Sequence, residues 1–519
     1  MQATALTLGL VGLDAHLVRV EVDSGRGPSA FHLVGLAEAA VREARVRARA
    51  ALKHMNIELD EYVITVSMSP ADIRKTGSAF DVALAVGVLG ALGRLEPDAT
   101  SGIVLLGELA LGGQVRPVRG VLPSLATAKR LGILRAIVPA ENAAEASAVV
   151  GMDVRVASTL ADGVAALRKE RELPRATRDG SSVPTAPFSS VDLSEIRGQQ
   201  GARRALEIAA AGGHNLLMMG PPGAGKTMLA RRLPTILPPM GPEEALEVSA
   251  VHSVAGLLPT GIGLLAERPF RAPHHTISVA GLVGGGAPVR PGEVSLAHLG
   301  CLFLDELLEF GRSTVEALRQ PLEDGVVSVC RARERTMFPA RPVFVAALNP
   351  CPCGHAGTPR CTCAPERVRA YRHRVSGPLL DRIDLQIGLP PVDISELSSR
   401  RPSGEPSAAV RERVEQARAV QAARARSNEV SARLNATLGA ADLARVVSLD
   451  AAAEAVLRSA AEALGLSARA FGKVLRVSRT LADLDGKDGV GAPHVSEALH
   501  LRLLDRVRAP GALASTAAG

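Results

Sequence analysis

The chain has 519 residues, of which 47% are hydrophobic, and it carries a formal net charge of +7. A chain of this length has room for two to four domains of about 100–200 residues, each with its own core. Aromatic residues make up only 2% of the chain and Trp is absent, which excludes a broad base-stacking platform for single strands. The sequence pI of about 9.4 fits a polyanionic partner and an ordinary soluble protein equally well, and any contact with nucleic acid must rest on backbone charge.

The sequence pattern gives no sign of a membrane or secretion segment. No stretch reaches the roughly 18 uncharged apolar residues of a membrane span, and residues 1–16 lack a basic start. Four of the six cysteines fall within residues 351–363, which favours a metal site or free thiols over a disulfide scaffold. We therefore expect a cytoplasmic protein with no membrane partner.

Residues 1–170 alternate strand-like segments with helical ones. The strand-like segments are HLVRVEV, YVITVSM, GIVLLGEL and RAIVPA, and the helical ones are AEAAVREARVRARAALKHM and FDVALAVGVLGAL. This order predicts an α/β domain. Residues 171–190 are rich in Pro, Ser and Thr without an apolar period, which predicts a linker.

A second α/β block is predicted over residues 191–395, and an all-helical block over residues 396–508, followed by a tail at 509–519. In the helical block Ala, Leu and Arg recur at helical spacing. The predicted helices there span 408–434, 440–464, 467–484 and 492–507.

A glycine-rich loop stands between an apolar strand and a helix in HNLLMMGPPGAGKTMLARRL. Its pattern matches a phosphate-binding loop, in which glycines let backbone N–H groups face the phosphates at a helix N-terminus. The lysine supplies a positive charge to the outer phosphates, and the threonine hydroxyl binds Mg²⁺. The predicted nucleotide-binding residues are Gly220, Pro221, Pro222, Gly223, Ala224, Gly225, Lys226 and Thr227.

Two further apolar strands end in polar residues. GCLFLDEL ends at Asp305 and Glu306; Asp305 is placed to hold Mg²⁺, and Glu306 to orient or deprotonate the attacking water, which favours hydrolysis over a pure switch. PVFVAALNP ends at Asn349, whose amide can align that water beside the γ-phosphate. The alternative for Asn349 is that Asn-Pro merely starts a turn.

Longer motifs surround these residues: RGQQGARRALEIAAAGGHNLLMMGPPGAGKT, FRAPHHT, RPGEVSLAHLGCLFLDELLEF, LRQPLEDGVV, NPCPCG and SGPLLDRIDL. Together they resemble the magnesium-chelatase-like AAA+ proteins, and more narrowly their ComM/YifB branch, over nearly the whole chain. The resemblance implies an ATPase that uses ATP and Mg²⁺. It also implies a homo-hexamer with each nucleotide between two subunits, and a phosphate-loop α/β core followed by a helical lid.

By the same resemblance, Arg382 in PLLDRIDL is the arginine finger that reaches into the neighbouring site. A rigid guanidinium suits the charge that develops on a transferring phosphoryl group. The alternative is an ion pair of Arg382 with Asp381 or Asp384.

Arg469 in LSARAFGKVLRVSRT matches the second sensor on the helical lid. Arg476 and Arg479 follow on the same predicted helix and are weaker choices. RGQQ, at residues 197–200, resembles the segment that borders the adenine.

Two segments suit hairpins. GLVGGGAPVRPGEV, at 281–294, has the Gly and Pro content of an exposed loop, and GVVSVCRARERTMFPARPVFV, at 325–345, alternates like two strands around a basic tip. In the wider clade such hairpins point into the channel of the ring, where arginines suit a phosphate backbone; the alternative is a solvated edge hairpin whose charges prevent strand pairing. We expect branched or single-stranded DNA to contact Arg331, Arg333 and Arg335.

The segment CPCGHAGTPRCTC contains two C-x-C pairs. Four thiolates can close a tetrahedral Zn²⁺ site, although C-x-C is tighter than the usual spacing, so reduced thiols remain the alternative. The candidate zinc ligands are Cys351, Cys353, Cys361 and Cys363. His274 and His275, adjacent on a predicted strand, are expected to point apart and not to share a metal.

The N-terminal block resembles the Lon-protease-like domain. SPADIRKTGSAFDVALAVGVL carries Ser78 at the place of the Lon nucleophile, and GELALGGQVRPVRGVLPSLATAKRLGI carries Leu122 at the place of the Lon lysine. A serine hydroxyl without an adjacent base is a poor nucleophile, and Lys75 or Lys129 could replace the base only in an unusual geometry. We expect an inactive domain that acts as a scaffold or a DNA-guiding collar.

The expected function is therefore an ATP-driven DNA motor that promotes helicase or branch-migration activity in recombination and natural transformation, as the resemblance implies. The ATPase subunit of a metal-chelatase-type remodelling complex is the alternative. An ATP-dependent protease fits less well because of Leu122.

Overall fold

The computed structural model describes residues 1–34, 39–71, 77–177, 191–331, 334–356, 359–391 and 404–504. In this part of the chain no helix is long and apolar enough to cross a lipid bilayer.

The N-terminal domain is built on a seven-stranded mixed sheet with flanking helices. Its strands are β1 (Gln2–Val11), β2 (Asp14–Arg26), β3 (Ala30–Val34), β4 (Tyr62–Ser69), β5 (Ile103–Leu105), β6 (Glu108–Leu109), β7 (Val115–Arg116), β8 (Arg135–Pro139) and β9 (Asp153–Ala157). Its helices are α1 (Ala39–His54), α2 (Asp81–Ala91), α3 (Val121–Arg130), α4 (Ala143–Ser147) and α5 (Leu160–Leu167).

The large sheet has the order β3-β4-β2-β1-β5-β8-β9, and β6 pairs with β7 beside it. Strands β1 and β2 form a long antiparallel hairpin that closes at Val11 and Asp14, whereas β5, β8 and β9 run parallel. Helix α2 is apolar on every face because it lies between this sheet and α1. At Gly87 of α2, an added Cβ would stand 2.8 Å from Val22 of β2, so the helix can approach the strand this closely only with glycine.

The central domain carries the glycine-rich loop. Its strands are β10 (Leu216–Met219), β11 (Phe270–Arg271), β12 (Gly284–Gly285), β13 (Arg290–Pro291), β14 (Cys301–Leu304), β15 (Val326–Arg331), β16 (Glu334–Pro339), β17 (Val343–Leu348) and β18 (Leu385–Gly388). Its helices are α6 (Gln200–Gly212), α7 (Lys226–Ile236), α8 (Pro242–Ala255), α9 (Val279–Val283), α10 (Glu293–Leu296), α11 (Arg312–Glu316), α12 (Arg319–Asp324), α13 (Pro365–Arg372) and α14 (Gly377–Leu380).

Five of these strands form an all-parallel sheet in the order β11-β14-β17-β10-β18. Its strands are almost wholly apolar, as expected for a sheet covered on both faces. Because parallel strands end at one edge, the residues that follow β10, β14 and β17 meet there. We call this the carboxyl edge, and the opposite side the amino edge.

The C-terminal domain is helical. Its helices are α15 (Ser407–Arg426), α16 (Ala440–Val446), α17 (Ala451–Leu464), α18 (Ala468–Leu484) and α19 (Ala492–His500). The single helix predicted over 440–464 is two helices, because Asp450 caps the N-terminus of α17 through Ala453 N–H. The helix predicted over 408–434 ends at Arg426.

The helical domain packs on α6 and α7 and against the amino edge of the parallel sheet. Gln421 of α15 donates to Ala211 O over 3.1 Å, and His214, just before β10, lies 2.8 Å from Thr480 of α18. At the start of β18, Lys473 of α18 donates to Ile383 O over 3.0 Å. The domain therefore covers the side of the core that faces away from the glycine-rich loop.

The N-terminal domain is joined to the central domain through α3 and α8. The buried carboxylate of Glu145 accepts from the hydroxyl of Ser253 on α8 and from Leu122 N–H at 2.8 Å. Apolar side chains of α8 pack into the same cluster as α3. A second contact forms where Thr336 of β16 rests against Gly12 in the turn between β1 and β2.

Candidate nucleotide-hydrolysis site

The phosphate loop is formed where β10 ends. Gly220 N–H donates to Leu348 O of β17, and a Cβ on Gly220 would stand 2.9 Å from Leu389 O, so only glycine fits there. Gly223 and Gly225 have φ values of 78° and 87°, a left-handed conformation that favours glycine. With no atom within 4 Å of an ideal Cβ at either position, the loop faces open space at the N-terminus of α7, as a phosphate cradle requires.

Lys226 is the first residue of α7 and is buried. Its Nζ donates to Gly220 O at 2.6 Å, to Pro221 O at 3.0 Å and to Asn349 Oδ1 at 3.0 Å. Burial lowers the pKa of Lys226, while the charges of Asp305 and Glu306 raise it. The ammonium is thus held by neutral oxygens that a phosphate can replace.

The magnesium pair lies next to this lysine. Thr227 Oγ1 donates to Asp305 Oδ2 at 2.6 Å, so the two oxygens predicted to hold Mg²⁺ already face each other across the ends of β14 and α7. Hydroxyl and carboxylate oxygens are the hard ligands that Mg²⁺ prefers. The donor set therefore fits the ion.

Glu306 follows directly and is exposed. Its φ of 51° is left-handed for a non-glycine residue, a conformation that occurs often at active sites. Its backbone N–H donates to Asp305 Oδ1 at 3.0 Å. This bond orients the carboxylate of Asp305, and the Glu306 side chain stays exposed at the carboxyl edge.

The predicted RGQQ segment also reaches the loop. Gln199, with a φ of 50°, donates from Nε2 to Pro390 O at 2.8 Å and to Ala224 O at 3.4 Å. It therefore links the phosphate loop to the chain that follows β18.

Arg382 lies at the amino edge. Asn215, immediately before β10, donates to Arg382 O at 2.9 Å, so β10 separates the arginine from the phosphate loop. The guanidinium of Arg382 donates to Arg319 O at 2.9 Å and forms an ion pair with Glu323, both on α12. Its ion pair is thus with Glu323 and not with the neighbouring aspartates considered from the sequence.

Arg469 is exposed in the first turn of α18. It precedes Lys473 by one helical turn, and Lys473 contacts Ile383 beside Arg382. Arg476 and Arg479 are held within the helical domain: Arg476 donates to Leu438 O at 2.8 Å, and buried Arg479 pairs with Asp483 at 2.9 Å. Of the three arginines on α18, Arg469 is the exposed one.

The four cysteines come together after β17. Their sulfur atoms all lie within 4.8 Å of one another, with separations of 3.3, 3.7 and 3.8 Å among Cys351, Cys353 and Cys361. Backbone N–H groups of His355 and Thr362 lower the pKa of Cys353 to about 5, so this thiol is readily ionised. Because the four sulfurs lie so close together, the short C-x-C spacing does not prevent them from forming one cluster.

The predicted basic hairpin is formed by β15 and β16, which pair antiparallel with Arg331 opposite Glu334. Arg335 is exposed and donates from Nε to Ser328 Oγ at 3.0 Å. Arg333 and the side chain of Arg331 lie outside the described residues. The shorter hairpin, β12 with β13, falls within the predicted loop 281–294.

His274 and His275 do not lie on a strand, and their rings do not point apart. They follow β11 in an irregular segment, where their ring centroids are 4.1 Å apart at an angle of 34°, and His275 meets the edge of Phe310. The expectation failed because β11 ends at Arg271, so the alternation of a strand does not apply to them.

At the Lon-like site, no lysine of the described residues bonds to the serine hydroxyl. The Ser78 hydroxyl donates to Glu108, Leu122 is fully buried, and Lys129 donates to Val150 O at 2.7 Å. Lys75 lies outside the described residues. A serine whose hydroxyl faces a carboxylate, with leucine in place of the lysine, is not arranged as a Ser–Lys nucleophile.

Comparisons with known proteins agree with this architecture. A family model described as "Magnesium chelatase, subunit ChlI" matches residues 192–397, one described as "Subunit ChlI of Mg-chelatase" matches residues 20–142, and one described as "Magnesium chelatase, subunit ChlI C-terminal" matches residues 404–502.

Three relatives are similar over nearly their whole length. The chain is 44% identical over 499 residues to an uncharacterized protein of Mycobacterium tuberculosis, covering 96% of this chain and 98% of that protein. It is 43% identical over 502 residues to Competence protein ComM of Haemophilus influenzae, covering 96% of each. It is 40% identical over 506 residues to YifB of Escherichia coli, covering 96% of this chain and 97% of that protein.

A partial match concerns Lon protease 2 of Bacillus subtilis, which is 32% identical over 91 residues, 18% of this chain and 16% of that protein. The same family is indicated by three findings: the parallel sheet with its phosphate loop, the helical C-terminal domain and the relatives that match over nearly their full length. The chain belongs to the ComM/YifB branch of the magnesium-chelatase-like AAA+ ATPases and carries a Lon-like N-terminal domain.

Proposed function

We propose that this chain is the subunit of a homo-hexameric, ATP-driven motor that moves branched or single-stranded DNA and promotes helicase or branch-migration activity. The observation that carries the proposal is the separation of the hydrolysis machinery into two halves. Lys226 and Glu306 lie at the carboxyl edge of the sheet, whereas Arg382 lies beside Asn215 at the amino edge. The four residues of β10 between them span about 13 Å, so the arginine of one chain serves the nucleotide of a neighbour.

The exposed Arg469 supports the same arrangement, because it lies one helical turn before Lys473, which contacts Ile383 O beside Arg382 at the amino edge. A repeated head-to-tail contact that joins an amino edge to the next carboxyl edge gives a ring when the rotation between subunits closes, and we propose that it closes after six. Both arginines of one subunit then reach the same neighbouring site.

Within each site the residues have distinct roles. Lys226 leaves its carbonyl partners to bind the outer phosphates of ATP. Thr227 and Asp305 hold Mg²⁺, which neutralises charge on the phosphates. Glu306 accepts the proton of the attacking water, Asn349 orients that water, and Arg382 from the neighbour stabilises the charge of the transferring phosphoryl group.

In this proposal, helix α12 transmits the structural effect of ATP hydrolysis to the DNA-binding hairpin. Arg382 contacts α12 at Arg319 and Glu323, and Gly325 leads from this helix into β15 of the basic hairpin. When Arg382 exchanges Glu323 for a phosphoryl group, α12 loses its ion pair and the hairpin can shift. Arg331, Arg333 and Arg335 near its tip then carry the phosphate backbone along the channel.

The name of one relative, Competence protein ComM, supports a role in natural transformation, and we place the activity in the cytoplasm. A DNA motor that extends or unwinds branched intermediates suits recombination of incoming strands.

We further propose that Cys351, Cys353, Cys361 and Cys363 hold one Zn²⁺ ion. In a tetrahedral site with Zn–S bonds of about 2.3 Å, the sulfurs lie roughly 3.8 Å apart. Two separations found here are 3.7 and 3.8 Å, and the one between Cys351 and Cys353 is shorter, at 3.3 Å. Four thiolate ligands close the coordination shell, so the ion has a structural and not a catalytic role.

The test is a fork-unwinding and three-strand branch-migration assay with ATP and with a non-hydrolysable analogue. We expect branched DNA to stimulate ATP turnover and to be unwound or migrated only with ATP. A purified protein whose ATPase activity ignores every DNA structure, and which gives no gel shift with DNA, would overturn the motor.

The matched family models carry the name of a chelatase subunit, which favours one alternative: the ATPase subunit of a metal-chelatase-type remodelling complex. The Lon-like domain, the four-cysteine cluster and the basic hairpin count against it. ATP turnover that responds to a chelatase partner and not to DNA would favour this alternative.

A further inference from the structure

The four-cysteine cluster adjoins the hydrolysis site through the residues that follow β17. Asn349, which accepts from Lys226 Nζ at 3.0 Å, stands two residues before buried Cys351. Between them, Pro350 O accepts from Arg372 Nε at 3.1 Å. Whatever holds Cys351 in place therefore also fixes the end of β17 and the amide of Asn349.

A second contact joins the cluster to the phosphate loop itself. Gly354, inside the cluster, has a φ of 82°, and a Cβ added there would stand 2.5 Å from Pro222 Cδ and 2.7 Å from Pro222 Cγ. The turn after Cys353 therefore rests directly on the loop that binds the phosphates. Only glycine allows this approach, both for its backbone conformation and for its lack of a side chain.

Two backbone hydrogen bonds of the described residues between the two C-x-C pairs end on Cys351. Ala356 N–H donates to Cys351 Sγ at 3.2 Å, and Gly354 N–H donates to Cys351 O at 2.9 Å. Both bonds lead back to the cluster, so bonds from the four sulfurs to one ion would supply the cross-links that hold this segment against Pro222.

We infer that the metal bound by the four cysteines is a positioning element of the ATPase centre, which holds Asn349 and the phosphate loop in place for hydrolysis. This inference rests on the proposed ATP hydrolysis and extends it to the cluster. In this inference the cysteines act indirectly, through Asn349 and Pro222.

The expected effect of metal loss is a fall in kcat with little change in KM. Lys226 and the backbone of the loop still bind ATP, whereas displacing a water-orienting group by about 1 Å can cost about 100-fold in rate. We expect kcat to fall about 10- to 100-fold and KM for ATP to change by less than about threefold.

The first test compares Cys353→Ser/Cys361→Ser with Cys330→Ser, which replaces an exposed cysteine outside the cluster. Metal content by plasma mass spectrometry, affinity for a fluorescent ATP analogue, and kcat and KM without DNA are measured on the full chain. We expect one zinc ion per chain and normal turnover in the control, and neither in the double variant. A zinc-free chain with the wild-type kcat would overturn the inference.

The second test leaves all four thiols in place and separates positioning from folding. Gly354→Ala disturbs the contact with Pro222, whereas Gly25→Ala adds the same methyl group at an exposed position with nothing within 4 Å. We expect Gly354→Ala to retain its zinc and lose turnover, and Gly25→Ala to retain both. Full turnover in zinc-loaded Gly354→Ala would overturn the inference.

Failure of the proposed function has a different signature. If Lys226→Ala hydrolyses ATP at the wild-type rate, the ATPase assignment itself is wrong. If DNA does not stimulate ATP turnover, the proposal of a DNA motor is wrong, but the dependence of basal ATP turnover on the cysteine cluster still stands.

Discussion

Thr227 Oγ1 and Asp305 Oδ2 lie 2.6 Å apart, joined by a hydrogen bond from the hydroxyl to the carboxylate. One residue comes from the start of α7 and the other from the end of β14. The two residues proposed to bind magnesium therefore already face each other, which reduces the reorganisation that binding requires.

The first prediction separates binding from hydrolysis at this site. Lys226→Ala should lower ATP affinity about 10- to 100-fold, because a charged donor to the phosphates is worth about 1.5–3 kcal/mol. Glu306→Gln should keep the affinity within about threefold while kcat falls by about 10²–10⁴. Equal losses of affinity in both variants, measured by titration calorimetry, would contradict the assigned roles.

The second prediction concerns sites shared between subunits. Arg382→Ala alone should lose about 10³-fold in kcat, as expected for an arginine finger, and Lys226→Ala alone should be inactive. In a mixture, an intact Lys226 from one variant faces an intact Arg382 from the other, so ATPase activity should return. A mixture that stays inactive although mixed rings are detected by native mass spectrometry would place Arg382 outside the neighbouring site.

The third prediction concerns the basic hairpin. Replacing Arg331, Arg333 and Arg335 by Ala should weaken DNA binding uniformly across sequences. The slope of log K against log salt should become shallower by about two, since each of three phosphate contacts to a single strand contributes about 0.7. Basal ATPase activity without DNA should be unchanged.

The matched control removes three arginines from the exposed surface of the helical domain: Arg426, Arg445 and Arg458. Fluorescence anisotropy with single-stranded DNA, over a roughly tenfold range of salt concentration, checks both variants. If the control lowers the slope as much as the hairpin variant does, the contact is general surface charge and not the hairpin.

The fourth prediction concerns the buried carboxylate that joins the core to the helical domain. Burial alone would raise the pKa of Asp384, but His214, Lys473 at 3.6 Å and Asn215 N–H hold it at about 2. Because the folded pKa lies below the ordinary value of about 3.9, this carboxylate stabilises the fold above about pH 4. That contribution is lost as the pH falls towards 2.

Asp384→Asn removes the carboxylate that Lys473 faces at a buried position, which should cost about 3–5 kcal/mol of unfolding free energy at pH 7. Urea unfolding at pH 7 and pH 3 should give a difference from the wild type that shrinks at the lower pH. Glu454→Gln, at an exposed pair with Arg458, should change stability by less than about 1 kcal/mol. A difference that stays constant with pH would contradict the role of the Asp384 charge.

The parts of the candidate site that depend on neighbouring residues could be predicted from the sequence. The phosphate loop, Asp305, Glu306 and Asn349 each follow an apolar strand, and parallel strands deliver their following residues to one edge. The pairing of β15 with β16 was also predictable, because the sequence alternates like two strands on either side of a basic stretch. These features depend on neighbours in the chain.

Other features depend on residues far apart in sequence. Arg382 forms its ion pair with Glu323, 59 residues away in the sequence, and Gly354 packs against Pro222. No local sequence pattern predicts either contact. The break between α16 and α17 did have a signal, since Asp450 is a good N-cap. Strand β1 was missed although QATALTLGLV suits a strand, and it runs through the middle of the first sheet.

The contact between Glu145 and Ser253 reuses the region where a Lon-type enzyme would keep its lysine, since Leu122 N–H donates to the same carboxylate. A surface that must admit a peptide cannot also be covered by a neighbouring domain. Leu122 is fully buried, and apolar side chains of α8 pack into the same cluster. The N-terminal and central domains should therefore move as one body, so we expect relative movement to fall between the subunits of the proposed ring and not within a protomer.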